Sequence, residues 1–429
     1  MSSQQEAIGL KQSWRQALAS RDGLNAGGQI LVFCLVMIAV FNRCPSRLTH
    51  AQFYAEDGTF WFAQAYNDGW LHSLTLPDGG YLNTLQRLGT GLALLVPLQW
   101  APFVMVFLGM CIQALPVTIL LSPRSRDWGP LPLRLLFAAV YVAIPNSREI
   151  HVVLTNSQWH LALAEVLLAF AASPLSWRGR LCDGSLFLLA GFCGPFGIAL
   201  APLVLLFWWL RRRPWSLVIF CLLSVGAVTQ IVVLLHSVHR THNPLGPSVG
   251  ALVRIVGGNI VAGALFGSHA FSTKAPMIAI VAAALVGLSI IFYRLRFANL
   301  EWKLLVLYCT VLLAASLRSP LIPGTKPLWD LLVIEVASRY WLFPMLVFLW
   351  SAVWCALYAR DRVAKVAGTG LCFAMLIGVA SDWRYGKFAD DNFAASVRRV
   401  RDAKPGEHVI VPIPPQGWSM DLVKKPNDQ

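Results

Sequence analysis

The sequence predicts an all-α polytopic membrane protein, and three observations carry that reading. Of 429 residues, 56% are hydrophobic and only 13% are charged, with a mean hydropathy of +0.59. Apolar runs of helical length recur along the chain, and Lys and Arg gather between alternate runs. A soluble chain carries about 25% charged residues. An ordinary soluble enzyme and a disordered chain are therefore excluded, and lipid replaces water as the solvent around most of the surface.

The formal net charge is +14. It matches the gathering of Lys and Arg in cytoplasmic loops. No RNA-binding or helix-turn-helix pattern accompanies it, so nucleic acid is not an expected partner. The nine cysteines form no CxxC pair, which argues against a disulfide framework or a zinc site.

The elements follow in order. Residues 1–27 read as a cytoplasmic N-terminus carrying Lys11, Arg15 and Arg21. Residues 28–381 read as the membrane domain, beginning with the apolar run Gly28–Phe41. Further runs lie at 100–122, 131–144, 159–173, 185–210, 215–235, 275–293, 303–317, 340–358 and 366–381. The 185–210 run is flanked by Arg178 and Arg180 before it and Arg211–Arg213 after it, with Gly191-Phe-Cys-Gly-Pro-Phe-Gly197 inside. If both basic clusters face the cytoplasm, this run must be a hairpin of two short helices. The total is then about eleven spans, with the C-terminus outside. The first outer loop covers 42–100, and Phe60–Trp70 inside it reads as an interfacial helix. Residues 248–270 read as interfacial or re-entrant. The outer tail, 382–429, has an amphipathic stretch Asp390–Asp402 and a strand His408–Pro412, and is expected to dock on the outer loops.

This arrangement puts the histidines and most carboxylates on the outer side. In the first outer loop, Glu56-Asp57-Gly58 sits among aromatics, followed by Gly80-Tyr81-Leu82-Asn83 and Arg87. Carboxylates beside apolar surface are costly unless paired or useful. They suit a general base for an acceptor hydroxyl, a divalent-cation site, or a helix N-cap. The second outer loop offers Glu149, Asn156, Gln158 and His160, donors and acceptors of the kind a sugar or phosphate needs. Glu165 lies in the fourth apolar run on the same helix face as Gln158; it either acts there or fixes helix packing. His236, His239 and His242 fit a solvated helix end better than a metal site. Arg240, Arg254 and Lys274 could form a phosphate site. A fourth outer region holds Arg318, Lys326, Asp330, Glu335 and Ser338-Arg339-Tyr340. Arg339 either snorkels or clamps a phosphate. No P-loop, GxSxG, HExxH or GxGxxG in a strand context is present, so ATP coupling, serine hydrolysis and nucleotide cofactors have no support.

Taken together, Glu56-Asp57-Gly58, Gly80-Tyr81-Leu82 with Arg87, Thr155-Asn156-Ser-Gln158-Trp159, Gly194-Pro195-Phe196 and Ser338-Arg339-Tyr340 resemble bacterial polytopic glycosyltransferases of the GT-C type, including those that modify O-antigen and pilin. The resemblance implies a GT-C-like fold in a bacterial inner membrane. It implies inverting transfer of a sugar from a polyprenyl-phosphate donor to an extracytoplasmic glycan or protein acceptor. It makes Asp57 or Glu56 the catalytic carboxylate, with Asp57 a candidate ligand for a divalent cation (Mg or Mn). Arg339 with Tyr340, and then Arg254 and Lys274, become the candidates for the donor phosphate. Tyr81, Arg87, Glu149, Asn156, Gln158 and His160 become candidates for substrate contact. The chain departs from large GT-C enzymes in its short outer tail. Two other readings compete: a lipid or sugar transporter or flippase, which Glu165 and the broken helix would suit, and a polysaccharide polymerase or ligase.

Overall fold

The computed structural model describes residues 22–237, 243–267, 274–322, 324–334, 337–387 and 392–426. Lys11, Arg15, Arg21, His239, Arg240, His242 and Glu335 lie outside the described residues.

The chain is a mostly helical, multi-pass membrane protein. Eight of the described helices have the length and apolarity to cross a bilayer. Leu131–Ala143, Ser157–Ala169, Trp177–Gly191 and Phe196–Arg211 run only 13–16 residues, so four of the about eleven expected spans fall short of that length, while Val249–Phe266 reaches it. Helix starts are set by short polar side chains. Asn25 accepts from the Gly28 amide at 2.9 Å, Ser176 from Gly179 at 3.1 Å, Asn299 from Trp302 at 3.3 Å and Asp361 from Ala364 at 2.9 Å. Ser338–Tyr358 is the central helix, with 83% of its spanning window buried against 17% for Ala26–Arg43. Trp350 on that helix stacks on Phe137 with ring centroids 4.9 Å apart.

The expected hairpin is present. Helices Trp177–Gly191 and Phe196–Arg211 are separated by a turn in which Gly194 has φ +73°. The flanks return to one segment. Arg124 holds both carboxylate oxygens of Asp183 at 3.0 and 2.6 Å, and Arg213 reaches Asp127 at 3.0 Å. The turn itself lies at the other end of the molecule, where the Gly194 amide donates to the Leu82 carbonyl at 2.9 Å. Gly226 lets Pro214–His236 cross this pair closely: a Cβ there would stand 2.7 Å from the Gly191 backbone.

Val249–Phe266 is long enough to span, and it packs along Met277–Arg296, where a Cβ on Gly287 would stand 2.4 Å from Val261. The Leu328 amide reaches the Pro244 carbonyl just before it at 3.0 Å. Mid-helix, Asn259 donates to the Leu332 carbonyl at 2.9 Å and accepts at its own carbonyl from Asn146 at 3.1 Å. Gly267, just after it, lies against Asp382.

At the same end, the tail forms helix Phe393–Asp402 and an antiparallel pair, β1 (His408–Ile413) and β2 (Trp418–Val423). Val409, Val411 and Ile413 alternate inward and bury one face. As expected, the tail docks on the first loop. Asn67 brackets β2 through the Asp421 carbonyl at 2.8 Å and the Val423 amide at 2.9 Å, and Phe53 meets Phe393 edge-on at 5.7 Å.

Candidate functional site

Glu56 and Asp57 open a π-helical turn, Asp57–Phe62, that runs into Ala63–Asp68. Such turns are frequent at functional sites because the widened ring re-aims a side chain. The residue before the pair, Ala55, has φ +45°. A non-glycine residue in this region is strained and persists only where its surroundings enforce it. Here the tail enforces it: the Ala55 amide donates to the Pro414 carbonyl at 2.7 Å, and Thr59 donates to Ser419 at 2.7 Å. Gly58 leaves room for Ile413, whose Cδ1 would lie 2.6 Å from an added Cβ.

Asp57 is 4% exposed, and its Oδ1 has no hydrogen-bond partner among the described residues. Burial raises its carboxyl well above the usual range, and the neighbouring Glu56 raises it further. The Thr155 and Leu154 amides and the Arg47 charge oppose the shift. Glu56 is half-buried and accepts from the Thr155 hydroxyl at 3.4 Å.

The other candidates arrive from distant parts of the chain. Glu149, 8% exposed, accepts from the Arg339 amide at 3.0 Å and forms an ion pair with Arg339 Nη1. Burial raises the Glu149 carboxyl, and Arg339 opposes this. A second Arg339 nitrogen donates to the Leu321 carbonyl, and the Tyr340 hydroxyl lies 3.4 Å from it. Asn156 donates to the Glu149 carbonyl at 3.1 Å. Tyr81 meets the Gln158 side chain, and desolvation with the nearby Tyr340 pushes its phenol up to about 12. Gln158 also lies over Gly194, where a Cβ would stand 2.7 Å from Oε1. Trp159 packs edge-on between Phe196 at 4.8 Å and Tyr340 at 5.7 Å. The negative field of Glu56 is felt at Tyr81 and at Glu149. Five separated motifs thus form one constellation.

Three candidates sit apart from it. Arg87 is fully buried. It donates to the Leu76 carbonyl at 3.1 Å and the Phe60 carbonyl at 3.4 Å, and stacks 4.7 Å from the Trp61 ring. Burial lowers it to about 10. It ties the first loop together rather than facing a substrate. His160 has both ring nitrogens engaged, with the Tyr141 hydroxyl at 2.8 Å and the Ile150 carbonyl at 2.9 Å, so it is a core histidine. Arg254 lies on Val249–Phe266 and Lys274 is exposed beside Met277–Arg296. No described contact joins Lys274 to the constellation. The sequence reading missed Arg47, buried at 4% exposure with its guanidinium 5.8 Å from the Tyr54 ring. A signal existed: Arg47 is a cation in a loop where the charge bias expects few. Among the described residues, no group of three or more His, Cys, Asp or Glu is placed to hold a metal.

No protein-family model matches the chain, and no curated protein matches it. Among solved structures, it is similar to the archaeal oligosaccharyltransferase AglB from Archaeoglobus fulgidus, determined with an inhibitory peptide and a dolichol-phosphate. The TM-score is 0.44 at 13% identity, over 88% of this chain and 58% of that one. The chain therefore spans under two thirds of that protein's length.

Proposed function

We propose that this protein is a GT-C-type membrane glycosyltransferase. It moves a sugar from a polyprenyl-phosphate donor to a glycan or protein acceptor outside the cytoplasm of a bacterial cell, with its N-terminus cytoplasmic and its C-terminal tail periplasmic. The observation that carries the proposal is the meeting of the carboxylate pair Glu56–Asp57, the Glu149–Arg339 ion pair and the Tyr81–Gln158 contact at the end where the tail docks. Each motif that resembles GT-C enzymes sends a residue to this meeting, Arg87 apart, and Glu149 joins them.

The chemistry is inverting displacement. Asp57 or Glu56 takes the proton of the acceptor hydroxyl as its oxygen bonds to the anomeric carbon. The bond from that carbon to the phosphate oxygen breaks, and polyprenyl phosphate leaves with the electron pair. Arg339, Tyr340 and Tyr81 stabilise the growing phosphate charge. A buried carboxylate with a raised pKa is the stronger base for this step. Mg or Mn, if used, would take Asp57 and Glu56 together with substrate phosphate oxygens and water, and would help neutralise the leaving group.

The test offers purified protein in nanodiscs a panel of polyprenyl-phosphate sugars and follows release of free polyprenyl phosphate. Wild type should release it; Asp57→Asn or Glu56→Gln should slow release by about 10²–10⁴-fold. Release unaffected by both substitutions, or failure to bind every donor, would sink the proposal. A transport reading has one observation in its favour: Glu165 is fully buried with neither carboxylate oxygen hydrogen-bonded among the described residues. Bilayer crossing of the donor without its cleavage would support that reading instead.

A further inference from the structure

The end of the molecule opposite the carboxylates holds an arginine whose partner is absent from the described chain. Arg294, in the last turn of Met277–Arg296, is 7% exposed. Its Nε and Nη1 are inaccessible and unbonded, and no hydrogen bond from its guanidinium to any described residue is present. Two indoles hold it in place: the guanidinium carbon lies 4.2 Å from the Trp354 ring and 5.2 Å from that of Trp302. Aromatic faces attract a cation but accept few of its five N–H bonds. A buried guanidinium without acceptors is a costly arrangement.

Arg294 lines an open cavity of about 150 Å³ together with Asp127, Asn299, Trp354 and Tyr358. The groups that could satisfy it internally are engaged elsewhere. Asp127 pairs with Arg213 at 3.0 Å, and no ion pair joins it to Arg294. The Asn299 side chain donates to the Asp127 carbonyl at 2.5 Å and accepts from the Trp302 amide at 3.3 Å. Tyr358, 43% exposed, has no hydrogen bond to a described residue and adds a hydroxyl at the cavity. The cavity thus meets the remaining guanidinium nitrogen, Nη2, and a phenol. It has the volume of about five waters, at about 30 Å³ each. That is room for one oxyanion and too little for a whole lipid or nucleotide. Phe292, two residues before Arg294, and Leu357, one before Tyr358, are 64% and 44% exposed and offer apolar surface outside it.

We infer that Arg294 and Tyr358 bind a phosphate group at this end of the molecule. Nη2 offers a phosphate two N–H donors and a positive charge, and the Tyr358 hydroxyl adds a third donor. The phosphate belongs either to an anionic lipid headgroup, with acyl chains along the exposed helix faces, or to free phosphate. Basic pockets between spanning helices take headgroups in this way.

The experiment reconstitutes the full chain in nanodiscs of zwitterionic lipid, with or without phosphatidylglycerol, and in zwitterionic nanodiscs with added inorganic phosphate. It measures the thermal midpoint and the phosphatidylglycerol retained by the detergent-purified protein. Wild type should gain stability with one anion source, since a ligand bound only to the folded state raises the midpoint. Gain with phosphatidylglycerol alone assigns a lipid headgroup; gain with inorganic phosphate assigns a soluble anion. Arg294→Gln should lose the gain, with binding weakened about tenfold or more. Tyr358→Phe should lose part of it, and provides the test should Arg294→Gln not fold. The inference is overturned if neither source stabilises wild type, or if Arg294→Gln or, in its absence, Tyr358→Phe keeps the whole gain.

Discussion

The ion pair between Glu149 and Arg339 makes the most quantitative prediction. Arg339 gives Glu149 a backbone amide at 3.0 Å and a guanidinium nitrogen, and the Glu149 side chain is only 8% exposed. Arg339→Ala strands that carboxylate in a poorly solvated place, and removing one partner of a buried pair costs about 3–5 kcal/mol. Glu149→Ala should cost less, about 1.5–3 kcal/mol, because Arg339 keeps the Leu321 carbonyl and retains 22% side-chain exposure. The double variant removes both charges and should fall short of the sum by about 1–3 kcal/mol. Denaturant unfolding of the four proteins in one detergent measures the cycle. Additivity within about 0.5 kcal/mol would refute the claim that these residues act on each other.

Three further predictions follow from the carboxylates and their support. Glu56→Gln removes a negative neighbour that raises the Asp57 carboxyl, so the acid limb of any pH–rate profile should move to lower pH; a limb that stays or rises contradicts this. Asp57→Asn should stabilise the fold by about 1–3 kcal/mol at neutral pH, since it removes a buried anion with an unpaired oxygen. The sign follows from the raised folded pKa: wild type loses stability as pH rises from the unfolded pKa through the folded one, whereas the Asn variant should not, and thermal midpoints against pH test it. Pro414 accepts from strained Ala55, so deleting residues 408–426 should cut turnover by about tenfold or more while Ala26–Asp382 still purifies as a folded helical body; near-wild-type turnover would remove the tail from the site.

Much of this protein was legible in one dimension. Apolar length and charge placement gave the helices, and the basic residues flanking 185–210 gave the hairpin before any contact was known. The reason is physical: a bilayer penalises each unpaired backbone group and each charge, so composition alone marks most spanning segments. The docking of the tail was also readable, because so few residues cannot hold a core unaided. The short motifs named Asp57, Gln158 and Arg339, and the polarity of the second outer loop named Glu149, but neither said what each one touches. Only tertiary packing decided that Arg87 and His160 face inward to carbonyls and a phenol, that Glu149 belongs to Arg339, and that the tail holds the strained Ala55 beside the carboxylates. These are contacts across tens to hundreds of residues, set by where rigid helices cross, and no local pattern encodes them. Arg294 makes the same point at the other end: in the sequence it is one more basic residue at a helix terminus, and only the packing of Trp302 and Trp354 buries its charge with no hydrogen bond to a described residue.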